Sequence, residues 1–145
     1  MFDNFNISAS GLTAQRLRMD VISDNIANVN TTRTDTGEPY RRKMPVFKEK
    51  KESFNKILSS KIESNNEEMS GVEVEQIAED DSPFKMKYNP EHPDANEEGY
   101  VAMPNVNVTS EMVDMISASR AYEANVTALN TAKDMAQKAL QIGRG

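Results

Sequence analysis

The only histidine, His92, is the first residue with the means to do chemistry. It stands in Pro90-Glu91-His92-Pro93, with no cysteine in the chain and no second histidine to share a metal ion. A lone imidazole in a two-proline loop reads as a solvated side chain rather than a ligand or general base. Just beyond it, Asp94, Asn96 and Glu98 take positions 1, 3 and 5 of a calcium-loop pattern, and Gly99 takes position 6. Position 12 falls on Asn105, where a bidentate glutamate is needed, and helices should flank such a loop where extended segments are expected here. A solvated turn fits the stretch better, and a calcium-binding module stays as a rival reading.

Glu67-Glu68 and Glu79-Asp80-Asp81 have the composition of an acid–base pair. Neighbouring residues point in divergent directions, and little apolar sequence surrounds them to shift a pKa, so both read as solvated charge runs. Neither a Gly-rich phosphate loop, nor GxSxG, nor HExxH occurs, and a nucleophilic triad would have to recruit His92. Asn-x-Ser/Thr occurs at Asn6, Asn30, Asn107 and Asn125; two of these fall inside expected helices, so the matches read as chance or as capping residues. No catalytic, metal or cofactor-binding residue is assigned, and the chain reads as a non-enzyme without a cofactor.

Composition narrows the classes. Of 145 residues 37% are hydrophobic and none is tryptophan, and mean hydropathy is −0.68. That is a thin supply for a self-sufficient core, which suits an elongated chain or one that completes its core with other chains. A net charge of −6, with no basic stripe interleaved with aromatics, argues against nucleic acid. No apolar run approaches the roughly 20 residues of a membrane span. The start, MFDNFNISASG, lacks a cationic and then an apolar region, so it is not read as a cleavable secretory signal.

The elements come from periodicity. Ser110 to Ile142 contains neither proline nor glycine. Met115, Tyr122, Leu129 and Ala136 recur every seven residues, with Ala118, Ala132 and Ala139 three after that series and Val126 and Leu140 four after, the stripe of a long amphipathic helix. Thr109 or Ser110 is expected to cap it, with Glu111 and Asp114 at the positive end of its dipole. Methionines 112, 115 and 135 read as ordinary helix core rather than a ligand groove. At the other terminus Phe5, Leu12, Met19 and Ile26 repeat every seven, with Ile22 and Val29 three after. Gly11 weakens that helix locally, and the Asn-rich close places its end near Asn28. The two stripes are natural partners for each other.

Between them, Tyr40–Lys48, Val72–Ile77, Phe84–Tyr88 and Tyr100–Val108 read as extended, with Pro45 and Pro104 implying edges. Lys48–Gly71 is highly charged; Phe54, Ile57, Leu58 and Ile62 suit a short helix there, but a mobile insert is preferred. The expected fold is mainly α with a small β-rich middle module, the two long terminal helices packed as a coiled-coil-like pair. Its expected segments are 1–31 for the first helix, 32–108 for the β module with an insert at 49–71, and 109–145 for the second helix.

The residues then become specific. SASGLTAQRLRMDVISDNIANVNTTRT, Ser8 to Thr34, resembles the N-terminal signature of bacterial flagellar rod and hook proteins, with its hallmark at Asn25-Ile26-Ala27-Asn28-Val29-Asn30-Thr31. Glu111-Met112-Val113-Asp114-Met115-Ile116, Ser119-Arg120-Ala121-Tyr122 and Asn125 resemble the matching C-terminal signature. Tyr40-Arg41-Arg42, Asp81-Ser82-Pro83-Phe84, Tyr88-Asn89-Pro90 through Asn96, and Gly99-Tyr100-Val101 through Val106 look like proximal-rod members of the flagellar basal-body rod family. The resemblance runs colinearly over nearly the whole chain, apart from about Lys50 to Ser70.

The resemblance implies a structural subunit of the basal-body rod, packed with copies of itself and other rod proteins into a tube that carries torque from motor to hook. It implies terminal helices in the inner layer of that tube, and export through the flagellar type III apparatus without cleavage. Leu12, Met19, Ile22 and Ile26, with Met115, Tyr122, Val126 and Leu129, are the expected packing set. Asn25, Asn28, Arg120 and Asn125 are the expected polar contacts that fix register. Free in solution, residues 1–30 and 110–142 are expected to fray, with assembly and ordering coupled. A secreted helical adaptor that builds no filament, or another axial rod protein, are the competing readings.

Overall fold

A computed structural model describes the backbone of residues 2–50 and 71–143, and side chains from residue 5. The expected helix or mobile insert at 49–71 lies, over 51–70, outside the described residues. Among the described residues six elements follow in order: helix α1 (Phe2–Ala27), strands β1 (Lys43–Glu49), β2 (Val72–Glu79), β3 (Lys85–Tyr88) and β4 (Tyr100–Met103), and helix α2 (Val108–Ile142). The mainly α architecture with a small β middle is what the periodicities indicate.

The helices hold 26 and 35 residues, about 39 and 52 Å at 1.5 Å per residue. They run antiparallel and pack on each other. Asn25 of α1 bonds Glu111 of α2, and Gly11, fourteen residues earlier, lies against Asn125, fourteen residues later. α1 ends at Ala27, where Asn28 turns its amide back onto Asp24 by donating to its carbonyl at 2.9 Å and its carboxylate at 3.0 Å. That local bonding replaces the next helical turn. α2 starts two residues before Ser110, and its cap is neither Thr109 nor Ser110. Asn107 Oδ1 accepts from Thr109 N–H at 3.1 Å and Ser110 N–H at 3.5 Å. An asparagine in extended conformation outranks threonine as a cap, and it moves the helix start upstream.

The β residues form two separate antiparallel ribbons, β1–β2 and β3–β4. The first carries a register shift at Val46/Phe47, immediately after Pro45, as a proline without an N–H donor favours. This ribbon packs on α1. At its edge Ser10 Oγ accepts from Val72 N–H at 3.1 Å and donates to Ile7 O at 2.7 Å. A Cβ on Gly71 would stand only 2.3 Å from that Ser10 oxygen, so glycine lets the strand approach the helix. The second ribbon is held by Lys85 Nζ, which donates to Val106 O at 2.7 Å.

Full burial is concentrated at one end. The fully buried residues include Ala14, Val21, Ile22 and Asn25 of α1, Val101 of β4, Tyr40, Pro104 and Val106 of the connecting segments, and Glu111 and Ala118 of α2. From Ser119 onward no described residue of α2 is fully buried.

Candidate functional site

The buried end contains a polar cluster. Asn25 is 1% exposed, and its amide makes four hydrogen bonds. Nδ2 donates to Lys43 O at 2.9 Å and to Glu111 Oε2 at 3.0 Å. Oδ1 accepts from Lys43 N–H at 2.9 Å and from the Tyr40 hydroxyl at 3.0 Å. Two donors and two acceptor positions are all that a carboxamide has, so Asn25 is satisfied within its own chain. It ties the end of α1 to the lead-in of β1 and the first turn of α2.

Glu111 is 0% exposed and also accepts from Arg42 Nε. Arg42 then reaches Asp80 at 3.7 Å and Asp114 at 3.5 Å, and Asp114 accepts from Arg18 at 3.0 Å. The Arg42 backbone N–H donates to Asn105 Oδ1 at 2.8 Å, and Asn105 Nδ2 donates to Asp80 O at 2.9 Å and Ser82 O at 3.2 Å. A buried carboxylate with charge-assisted partners on two sides has the hydrogen bonds that desolvation demands. The cluster fixes the register of five chain segments.

Burial raises the Tyr40 phenol well above its usual range, and its hydrogen bond to the Asp24 carboxylate (3.0 Å) pushes the same way. The Ser82 hydroxyl and backbone N–H bonds lower the Asp80 carboxyl. Both shifts follow from structural bonding around the connecting segments.

The sequence-chosen residues fall into three places. Ile22 is 4% exposed in the seam between the helices. Leu12, Met19, Ile26, Met115, Tyr122, Val126 and Leu129 are half-buried. At about 100° per residue, Leu12, Met19 and Ile26 lie roughly 100–140° round α1 from Asn25. Ser10 and Asp24, which bond the first ribbon and its lead-in, lie roughly 60–100° the other way. For an antiparallel partner, Met115, Tyr122 and Val126 lean to the same side as Leu12 and Met19. These side chains therefore form one apolar face of the hairpin on the side away from the first ribbon, continued by Val108 and Met112, which are exposed. Of the polar set, Asn28 bonds locally, accepting from Thr31 at 3.1 Å. Asn125 donates to Ala121 O at 2.9 Å and rests on Gly11. Arg120 is exposed.

The loop residues that suggested metal chemistry have other partners. Asp94 N–H donates to His92 Nδ1 at 3.1 Å, and Asp94 Oδ2 accepts from Thr32 at 2.8 Å. Asn96 Oδ1 accepts from Glu98 N–H and Tyr100 N–H. They close the loop and fasten it to the segment after α1, and no metal-holding group of three His, Asp or Glu occurs among the described residues. Nor is any helix among them long and apolar enough to cross a membrane.

Tyr40, Arg42, Asn105 and Arg18 carry the polar cluster without having been singled out for it. Glu111 and Asp114 read as dipole partners and as part of the C-terminal signature, not as members of a buried cluster. The signal was weak: a carboxylate in the first turn of a helix has a local explanation already, and nothing in the spacing shows an arginine 69 residues away.

Two family models match the chain. The family described as "Flagella basal body rod protein" matches residues 5–33, and "Flagellar basal body rod FlgEFG protein C-terminal" matches residues 97–142. The flagellar basal-body rod protein FlgC of Bacillus subtilis (strain 168) is 54% identical, over 99% of this chain and 98% of its own length. The FlgC of Borreliella burgdorferi is 49% identical over 100% and 99%. That of Salmonella typhimurium (strain LT2) is 39% identical over 97% and 96%. These alignments span both helices and the β ribbons between them.

Proposed function

The chain belongs to the FlgC family of flagellar basal-body rod proteins and is a structural subunit of that rod, and from that premise we propose that it polymerises through the open apolar face of its helical hairpin. The face made by Leu12, Met19, Ile26, Met115, Tyr122 and Val126 is the observation that carries this reading. A half-buried aliphatic or aromatic side chain leaves apolar area whose burial contributes roughly 25 cal/mol per Å². Helices from copies of the same chain and from other rod proteins cover it in coiled-coil-like fashion. The contact is heterologous and so extends as a helical tube. Torque from the motor then passes to the hook through many packed helices at once.

The segments divide accordingly: 1–31 and 109–145 are the two halves of the tube-forming helical domain, and 32–108 is the β-rich middle carried on it. The family places the protein in the flagellar basal body, with other rod components as partners. Delivery there runs through the flagellar type III export apparatus.

Met19→Lys and Tyr122→Lys test the assembly surface in a strain that lacks its own copy of the protein. The expected result is a folded, exported subunit that builds no rod, with loss of motility. Normal swimming and normal basal bodies with both variants would remove the open face from the interface. A folded monomer that binds one partner and never polymerises would favour an adaptor instead.

A further inference from the structure

One acceptor in the open apolar face has no donor. At about 100° per residue, Gln15 lies roughly 20–60° round α1 from Leu12, Met19 and Ile26, so it belongs to that face. Its side chain is half-buried, and its Oε1 is out of water with no hydrogen bond, alone in this among the side-chain atoms of the described residues. An unpaired buried carbonyl destabilises the fold, and an apolar side chain of the same length would avoid the cost. A complementary surface stands on another side of the same molecule. Among the described elements α2 packs on α1 alone. Val113, Ile116 and Arg120 lie roughly 140–200° round α2 from Glu111, which faces α1 through its bond to Asn25. Val113 is 62% exposed and Ile116 54%, and Arg120 is exposed beside them. This outer stripe joins two uncovered aliphatic side chains to one that carries only donors.

We propose that the outer stripe of α2 in one copy of the chain docks on the open face of the next copy, with Arg120 donating to Gln15 Oε1. The proposal rests on the assembly reading above and adds the occupant of the face and its register. In an extending assembly all copies point the same way, so the neighbour's α2 runs antiparallel to this α1. With Arg120 opposite Gln15, the step of four back to Ile116 matches the step of four on to Met19, and Val113 continues the row toward Ile26. The aliphatic side chains contribute apolar burial, and the guanidinium contributes a charge-assisted bond to the carbonyl that lacks one. The terminal torsion of a glutamine is broad, so the amide can turn its oxygen to the guanidinium as the face closes. Stripe and face lie on different sides of one chain, so the contact is heterologous and repeats from copy to copy.

Two measurements test the pairing. Gln15→Met in the purified full-length chain removes the unpaired oxygen, and should lower the equilibrium constant for unfolding in urea by about fivefold or more. An unchanged or raised constant would show that Oε1 already has a partner in solution, and would overturn the proposal. In a strain without its own copy of the protein, Gln15→Lys sets two cations against each other and should abolish rods and swimming. Adding Arg120→Glu places a carboxylate opposite that lysine and should restore both, the signature of direct coupling. Normal swimming with Gln15→Lys, or no rescue by Arg120→Glu, would overturn the pairing. Failure of the assembly reading looks different, because Met19→Lys and Tyr122→Lys would then swim normally too. Rods blocked by those two variants but not by Gln15→Lys would keep the face in the interface and strike only this occupant.

Discussion

The Asn25 amide donates to Glu111 Oε2 across 3.0 Å where neither residue meets water. A neutral amide is the right partner there. It supplies a donor to the carboxylate while its own oxygen stays free for Tyr40 and Lys43. An aspartate at position 25 would put two carboxylates face to face in a dry site.

Asn25→Asp should therefore destabilise the protein most at neutral pH. Protonation of one carboxylate relieves the repulsion, so the loss should shrink as pH falls toward 5, the expected direction for paired carboxylates. Glu111→Ala has no such rescue. It leaves Arg42 and the Asn25 donor short of their partner and should cost about 3–5 kcal/mol, against under about 1 kcal/mol for Arg18→Ala at the half-exposed end of the cluster. Urea unfolding of the three variants at pH 7 and pH 5 gives the comparison. Equal losses for Glu111→Ala and Arg18→Ala would show that the buried carboxylate is not central.

Tyr40 sets an alkaline limit. Its folded-state pKa is raised, chiefly by burial and then by the bond to Asp24. The folded protein thus holds the phenolic proton where the unfolded chain, near pKa 10, releases it. The associated stability is fully present below about pH 10 and is lost progressively as pH rises above it. Tyr40→Phe removes the proton and should flatten the fall in unfolding free energy between pH 10 and 11.5. An unchanged slope would place the alkaline sensitivity elsewhere.

The helices were legible because their apolar spacing is a local signal: α1 ends one residue from the Asn28 boundary, and α2 begins two residues before the expected Ser110. Pro45 likewise marked the irregularity in the first ribbon. The pairing of strands into two ribbons was not legible, since alternation states which face a residue takes and not which strand it meets. The polar cluster was hidden for the same reason. Glu111 and Arg42 are 69 positions apart, and each has an ordinary local role, one as a first-turn acid and the other as a strand-flanking base. Asn25 was picked out by family likeness, but its four bonds depend on the Lys43 backbone at the start of β1, on Tyr40 and on Glu111, which no spacing rule connects to it.

Gly37 and Gly99 separate backbone strain from crowding. Both have positive φ, 83° and 80°. A Cβ on Gly37 meets nothing within 4 Å, while one on Gly99 would lie 2.9 Å from Tyr88 Cε2 and 3.2 Å from Pro90 Cβ. Gly37→Ala should cost about 1 kcal/mol from strain alone. Gly99→Ala should cost about 1 kcal/mol more, because Tyr88 must leave its edge-on contact with Tyr100, now at 5.3 Å between ring centroids. Adding Tyr88→Ala to both backgrounds should bring the two glycine costs together. Denaturant midpoints measure this, and a persistent gap would point to Pro90 rather than the ring.

Gly11 tests how closely the helices approach at the middle of the seam. Inside an exposed helix, glycine to alanine stabilises by roughly 1 kcal/mol. Here the added Cβ would stand 3.0 Å from Asn125 Nδ2 and 3.1 Å from its Oδ1, and that amide is anchored by its bond to Ala121 O. Crowding of this kind costs about 1–3 kcal/mol, so Gly11→Ala alone should be neutral or destabilising despite its helix propensity. In an Asn125→Ala background the amide is gone and the propensity gain should reappear, making the same substitution stabilising by about 1 kcal/mol. The change of sign between the two backgrounds, read from a double-mutant cycle, is the signature of direct contact. Equal effects in both would mean that α1 and α2 do not meet at these two residues in solution.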